Sequence, residues 1–193
     1  KVVDFALSKN IDLVLIGPEA PLEAGLTDAL KEKGINVCAP TKDAARIETD
    51  KEWMREIVSR YNIPGQVKNR TFDNPKEARK FIEQLNGHVA VKPVGLTGGK
   101  GVRVYGDHFR TVDEAAQYAA EVIEKKIGGK PRVLIEEKLE GEEFTLQAFS
   151  DGKSIYPTPA VQDHKRLLPG DKGPNTGGMG SYSTESGILP FME

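Results

Sequence analysis

The sequence predicts a chain of mixed α/β and α+β class, and three observations predict it. Helical patterns alternate with short apolar runs over residues 1–38, two well-capped helices bracket β-rich segments in the middle, and turn-separated strands follow. With 193 residues there is ample surface for a buried core, so the chain is expected to be ordered. Lys and Arg number 27 against 29 Asp and Glu, a net charge of −2 spread along the chain, which offers no basic face to nucleic acid. The longest apolar runs, such as Leu13-Val14-Leu15-Ile16, are too short to span a bilayer. The first residues also lack the pattern of a signal peptide, so a cytoplasmic protein without a membrane partner is expected. One cysteine, Cys38, excludes an internal disulfide, and three histidines without paired ligand spacing argue against structural zinc.

Val2, Val3, Ala6 and Leu7 share a helical face that ends near Asn10, and residues 12–16 read as a buried strand. Leu22, Leu26, Ala29 and Leu30 form a second helical pattern, stopped at Gly34, before a strand over 35–38. Strands joined through helices imply a parallel sheet. Two strands alone leave most of such a sheet uncovered, so the natural protein is expected to begin upstream of Lys1.

From Thr41 the pattern turns helical, with Trp53, Met54, Ile57, Val58 and Tyr61 on one stripe and a break at Asn62-Ile63-Pro64-Gly65. Asn74-Pro75-Lys76-Glu77 supplies a cap, a proline in the first turn and an acid behind it, and Ala78, Phe81, Ile82 and Leu85 continue at helical spacing. Thr111-Val112-Asp113-Glu114 opens another helix in the same way, ended by Gly128-Gly129. Between the two lie β-rich segments at 88–93 and 101–105, so residues 68–135 read as a compact α+β unit. Strands at 132–136, 143–149 and 154–158 follow, the last two expected to pair antiparallel across Asp151-Gly152. Residues 162–182, rich in Gly, Pro, Asp and Lys, read as a long ligand loop.

Three segments carry chemistry. Gly95-Leu96-Thr97-Gly98-Gly99-Lys100-Gly101 joins two strands, and its free N–H groups suit an anion as well as they suit a flexible hairpin. It matches neither the P-loop nor the dinucleotide fingerprint. Lys92 tips the balance, because a lysine after Val89-Ala90-Val91 needs water or an anion for its head. Residues 133–144 run from an apolar strand into paired acids, Leu, Gly and two more acids. By composition this is a solvated turn, although such a turn can also serve an adenine edge and ribose hydroxyls. In the third, Gln162-Asp163-His164-Lys165-Arg166, two cations sit beside a carboxylate ahead of Gly173-Pro174-Asn175-Thr176-Gly177-Gly178-Met179-Gly180. Together these suit a phosphorylated or carboxylate substrate, held by charge and orientation rather than by proton transfer.

Taken with Gly17-Pro18-Glu19-Ala20-Pro21-Leu22, these motifs in this order resemble the ATP-grasp superfamily and, within it, the glycinamide ribonucleotide synthetase (phosphoribosylamine-glycine ligase) family, over essentially the whole chain. The resemblance implies the end of a Rossmann-like (pre-ATP-grasp) domain followed by an ATP-grasp fold incomplete at its C-terminus. It divides the chain into the last part of an N-terminal domain (1–45), a helical connection (46–67), a small ATP-grasp subdomain (68–135) and the first part of a central one (136–193). It implies ATP-dependent amide formation in purine biosynthesis: glycine is activated as glycyl phosphate and joined to 5-phosphoribosylamine, with ADP and phosphate released.

ATP is then expected on Lys51, Lys92, the covering loop Gly98, Gly99, Lys100 and Gly101, the adenine-flanking Glu136, Glu137 and Leu139, and Glu143 at the ribose. Glu19, Asp163, Asn175, Thr176, Gly177 and Gly178 are expected at the substrates, with Lys165 and Arg166 as the catalytic cations. No nucleophilic side chain is needed, and Cys38 is expected to be buried. The family's ligands for magnesium or manganese are expected outside this chain, which reads as an internal fragment able to bind nucleotide but not to complete the reaction. Another ATP-grasp ligase, a noncatalytic nucleotide-binding module and a dinucleotide-dependent oxidoreductase are the competing readings, and the last lacks its glycine fingerprint.

Overall fold

The computed structural model describes residues 1–98 and 101–192. The chain divides into two units, Lys1–Lys138 and Leu139–Glu193. No helix among the described residues is long and apolar enough to cross a membrane.

The first unit opens with helix α1 (Val2–Ser8), strand β1 (Leu13–Leu15), helices α2 (Glu19–Glu23) and α3 (Leu26–Lys31), and strand β2 (Asn36–Cys38). The two strands pair in parallel, Val14 opposite Val37. Ala6, Leu30 and Ile35 form a small core with Val3, Val14, Ile16, Leu26 and Val37 packed on it. Three expectations are corrected here. Strand side chains alternate faces, so within the apolar run of β1 only Val14 turns inward, while Leu13 and Leu15 are 60 and 69 % exposed. Val2 and Leu7 are likewise exposed, leaving Val3 and Ala6 as the inward face of α1. The single helical pattern over 22–30 is two helices, because Gly25 takes the left-handed conformation (φ 82°) and restarts the chain as the cap of α3.

Helices α4 (Arg46–Thr49) and α5 (Lys51–Arg60) are separated by one extended residue, Asp50, whose side chain accepts from the Trp53 N–H at 3.1 Å and caps α5. Trp53, Met54, Ile57 and Val58 are half-buried, but Tyr61 at the end of the stripe is exposed. Asn62 and Gly65, both at positive φ, break the helix as expected.

Strands β3 (Asn69–Phe72), β4 (Val89–Pro93), β5 (Arg103–Val104) and β6 (Val133–Glu137) form one antiparallel sheet in the order β3-β6-β4-β5. Helices α6 (Pro75–Gln84) and α7 (Val112–Glu124) cover one face, and Ala78, Ile82, Ala115, Ala119 and Val122 pack there with Val89, Val91, Val133 and Ile135. The Asn74 side chain accepts from the N–H groups of Lys76 and Glu77, and Thr111 and Glu114 form a reciprocal capping box. Strand β3 escapes the sequence pattern because it is a polar edge strand with only Phe72 buried. Residues 132–136, read as following the α+β unit, instead lie between β3 and β4 in its sheet.

In the second unit β7 (Ala148–Ser150) and β8 (Ile155–Pro157) form the expected antiparallel hairpin, with Asp151 Oδ1 accepting from the N–H groups of Lys153 and Ser154 at 2.8 and 2.7 Å. The strand expected over 143–149 shortens to β7, preceded by a single bridge between Thr145 and Val161. The expected ligand loop is a second hairpin, β9 (Gln162–Leu168) with β10 (Lys172–Tyr182). Its register shifts on either side of Asn175, and glycines replace the alternating apolar residues that signal a strand. Backbone pairing holds the ribbon with most of its side chains exposed.

Candidate functional site

The alternation of β4 and β6 decides which side chains meet. Val89, Val91, Val133 and Ile135 face the helices α6 and α7, which turns Ala90, Lys92, Leu134 and Glu136 to the opposite face. Ala90 lies opposite Glu136 and Lys92 opposite Leu134, so Lys92 and Glu136 are diagonal neighbours. The Lys92 ammonium forms an ion pair with Glu136 Oε2 at 2.5 Å. Arg55 of α5 donates from Nε to the other oxygen, Oε1, at 2.6 Å, and its Nη2 lies 2.5 Å from the same oxygen as an ion pair. Glu136 is 3 % exposed, so a buried carboxylate is shared between two cations. The partner that the isolated lysine of β4 required is thus already present within the chain.

Lys51, the first residue of α5, joins this cluster. Its backbone N–H donates to the Val94 carbonyl at 3.3 Å and its ammonium to the Gly95 carbonyl at 3.2 Å, which fixes it at the root of the glycine-rich segment. Burial pushes the Lys51 ammonium below the usual lysine range, and the like charge of Lys92 pushes it the same way against the pull of Glu48, Glu136 and Asp50. Two ammonium groups near a loop root, with one carboxylate already shared, suit an incoming polyanion.

Both ends of the glycine-rich segment are anchored. A Cβ on Gly95 would stand 2.1 Å from the Gly128 carbonyl oxygen, so only glycine lets these backbones approach. At the other end the Gly101 N–H donates to Thr97 Oγ1 at 3.2 Å, and the Tyr118 hydroxyl donates to the Gly101 carbonyl at 2.7 Å. The Arg103 guanidinium lies 3.9 Å over the Tyr118 ring. Gly98 has φ 59°, while Gly99 and Lys100 lie outside the described residues. Sequence reasoning missed Arg55 and Tyr118. Both are hidden inside amphipathic helical patterns, and a polar residue on an otherwise apolar helical face is the signal that points to Tyr118.

Glu137 ends β6, its carboxylate accepting from the Lys68 N–H at 2.8 Å and its own N–H donating to the Lys68 carbonyl at 2.9 Å. Glu19 is an exposed residue in the first turn of α2. A cleft of about 490 Å3 in this unit is lined by Asp28, Lys42, Arg46, Asp50, Lys130 and Gly95 among others, with Lys130 paired to Asp50 at 2.8 Å. Cys38, expected to be buried, is half-buried with a free thiol, because it ends a short strand at the margin of the small core.

Within the second unit Leu139 and Glu143 are exposed. Glu143 accepts from Lys165 at 3.2 Å, and Lys165 also approaches Asp163 at 3.7 Å. Asp163 and Lys165 share a face of β9, and His164 projects from the other. Asn175 pairs opposite Arg166, whose guanidinium donates to the Gly173 carbonyl at 2.9 Å. Thr176 Oγ1 donates to the Lys165 carbonyl at 2.9 Å and accepts from the Gly178 N–H at 3.0 Å. Gly177 follows in the same exposed strand. The hairpin therefore merges residues 162–166 and 173–180 into one ribbon.

Residues 1–48 match the family model of the phosphoribosylglycinamide synthetase N domain, and residues 49–192 that of the phosphoribosylglycinamide synthetase ATP-grasp (A) domain. Phosphoribosylamine--glycine ligases of Methanothermobacter thermautotrophicus and Methanopyrus kandleri are 59 and 53 % identical over 100 and 99 % of this chain, which spans 44 and 42 % of their lengths. The crystal structure of the Thermotoga maritima phosphoribosylamine--glycine ligase superposes with a TM-score of 0.68 at 34 % identity, covering 76 % of this chain and 37 % of that one. A biotin carboxylase domain of Hydrogenobacter thermophilus 2-oxoglutarate carboxylase shares the fold, with a TM-score of 0.66 at 21 % identity over 86 % of this chain and 37 % of that one. Two adjoining family models that together take in all but the last residue place this chain in the phosphoribosylglycinamide synthetase family, from its N domain into its ATP-grasp domain.

Proposed function

We propose that the protein carrying this chain joins glycine to 5-phosphoribosylamine at the expense of ATP, through glycyl phosphate, and releases glycinamide ribonucleotide, ADP and phosphate. Membership of the family supports the reaction. The observation that carries the nucleotide role is the convergence of Lys51 and Lys92 at the root of the glycine-rich segment. In this reading their ammonium groups take the phosphates, and Gly98, Gly99, Lys100 and Gly101 cover them. Glu137 and Leu139 flank the adenine, and Glu143 takes the ribose. Glu136 acts behind Lys92, since its two oxygens are engaged by Arg55 and Lys92.

A carboxylate is a poor electrophile until it is phosphorylated, and phosphoryl transfer asks mainly for positioning and charge neutralisation. Lysines supply both without a nucleophilic side chain. Lys165, held by Glu143 and Asp163, and Arg166, held on the Gly173 carbonyl, present two oriented cations for the acyl phosphate and the phosphorylated amine. Glu19, Asp163 and residues 175–178 orient the two substrates. Among the described residues no three His, Cys, Asp or Glu side chains gather to hold a metal ion.

The test is ADP release by the purified protein carrying this chain, with glycine and phosphoribosylamine supplied together, singly, or replaced by bicarbonate. Release only with the pair supports the reading. Release with bicarbonate, or none with the pair, overturns it.

A further inference from the structure

We propose that Arg55 is a positioning residue for nucleotide binding: by engaging one oxygen of Glu136 it leaves the other to aim Lys92, whose charge stays available to phosphate. The inference rests on Lys92 being a phosphate contact and adds a residue to that site.

The geometry divides Glu136 cleanly. Arg55 brings both Nε and Nη2 onto Oε1, and Oε2 is left to Lys92. An ammonium has three donors, so the ion pair with Oε2 orients Lys92 from one side and leaves N–H groups for a ligand on the other. The Lys92 side chain is 27 % exposed, against 5 % for Glu136, so the end of the lysine is reachable while the carboxylate that aims it is not. Charge points the same way. The single carboxylate of Glu136 lies against both Arg55 and Lys92, which leaves this trio one positive charge in excess. Without Arg55 the buried carboxylate keeps, among the described residues, only Lys92 as an ion-pair partner and competes with phosphate for it, and that excess is lost. Arginine suits the task, because its rigid planar guanidinium holds Oε1 from a fixed direction in a way that a flexible ammonium does not.

The experiment titrates ATP and adenosine separately into the protein carrying this chain, in wild-type form and as Lys92→Ala, Arg55→Gln, Arg55→Lys and the Arg55→Gln/Glu136→Gln double variant. Arg55→Gln is expected to weaken ATP about tenfold, the scale of one charge-assisted contact, with adenosine unchanged. The double variant removes the competing carboxylate with its partner but also the charge that aims Lys92, and ATP affinity is expected to recover only part of the loss seen in Arg55→Gln. Arg55→Lys is expected to fall between, and it carries the test if Arg55→Gln does not fold. A folded Arg55→Gln or Arg55→Lys protein that binds ATP as wild type does, or loses ATP and adenosine equally, overturns the proposal, as does a double variant no better than Arg55→Gln. If Lys92→Ala leaves ATP affinity unchanged, the reading of Lys92 falls instead. ATP weakened by Lys92→Ala but not by the Arg55 variants overturns the role of Arg55 alone.

Discussion

Tyr118, in the middle of α7, donates its hydroxyl hydrogen to the carbonyl of Gly101 at 2.7 Å, tying the exit of the glycine-rich segment to a buried helix. The ring is packed in the main core and the hydroxyl reaches out of it, so one residue serves both packing and loop geometry. Removing only the oxygen separates the two roles. Tyr118→Phe is expected to lose about 1 kcal/mol of stability through the unpaired carbonyl, and to bind ATP more weakly than adenosine relative to wild type. Urea unfolding beside the two titrations checks it; an unchanged midpoint and unchanged ATP affinity would assign the bond no energetic role.

Gly95 and Gly98 should respond differently to alanine. At Gly95 the new Cβ meets a backbone oxygen at 2.1 Å, and neither Gly95 nor Gly128 can yield by a rotamer change. At Gly98 the space is open and only the left-handed φ resists. We expect Gly95→Ala to cost roughly 3 kcal/mol and Gly98→Ala about 1 kcal/mol in thermal or urea unfolding. Equal costs would mean that the approach to Gly128 is not tight in solution.

Lys92→Ala should weaken ATP binding by about one to two orders of magnitude, and Lys92→Arg should recover only part, because a planar guanidinium does not replace a compact ammonium on Glu136 Oε2. Lys51→Ala should follow the same direction less severely. Near-normal ATP affinity in both alanine variants would remove the phosphate role. Lys51 also carries a pH signature: with its folded pKa below 10.5, the folded chain holds fewer protons here than the unfolded one between the two values, so its contribution to stability rises with pH across that window.

Asp50 carries the opposite signature. Burial pushes its carboxyl up, but the hydrogen bond from Lys130, the Trp53 N–H and the charges of Lys130 and Arg46 together hold it below 3.8. Its contribution is present above the unfolded pKa and is lost as pH falls through the lower folded one. Asp50→Asn keeps a capping oxygen and drops the charge, so its unfolding midpoint should fall less than wild type between pH 6 and pH 3, while Asp50→Ala should cost about 1 to 2 kcal/mol at pH 7. Parallel acid profiles for wild type and Asp50→Asn would refute the assignment.

Local chemistry alone determined much of this protein. The caps at Asn74 and Thr111, the stop at Gly34, the parallel β1–β2 pair and the Asp151 hairpin are short-range matters of hydrogen bonding and φ, and all were legible before any fold was known. The order of the motifs pointed to the family. Only tertiary structure decided where β6 enters the sheet, because strand neighbours are chosen by which apolar faces can be buried together and not by sequence order. The β9–β10 ribbon was hidden because backbone pairing can hold a glycine-rich hairpin without the alternating side chains that advertise one. The grouping of Arg55, Glu136 and Lys92 was hidden most completely. Those residues are 37 to 81 positions apart, and they meet because a two-residue strand period and an antiparallel register turn two of them to the face that the third reaches from a separate helix.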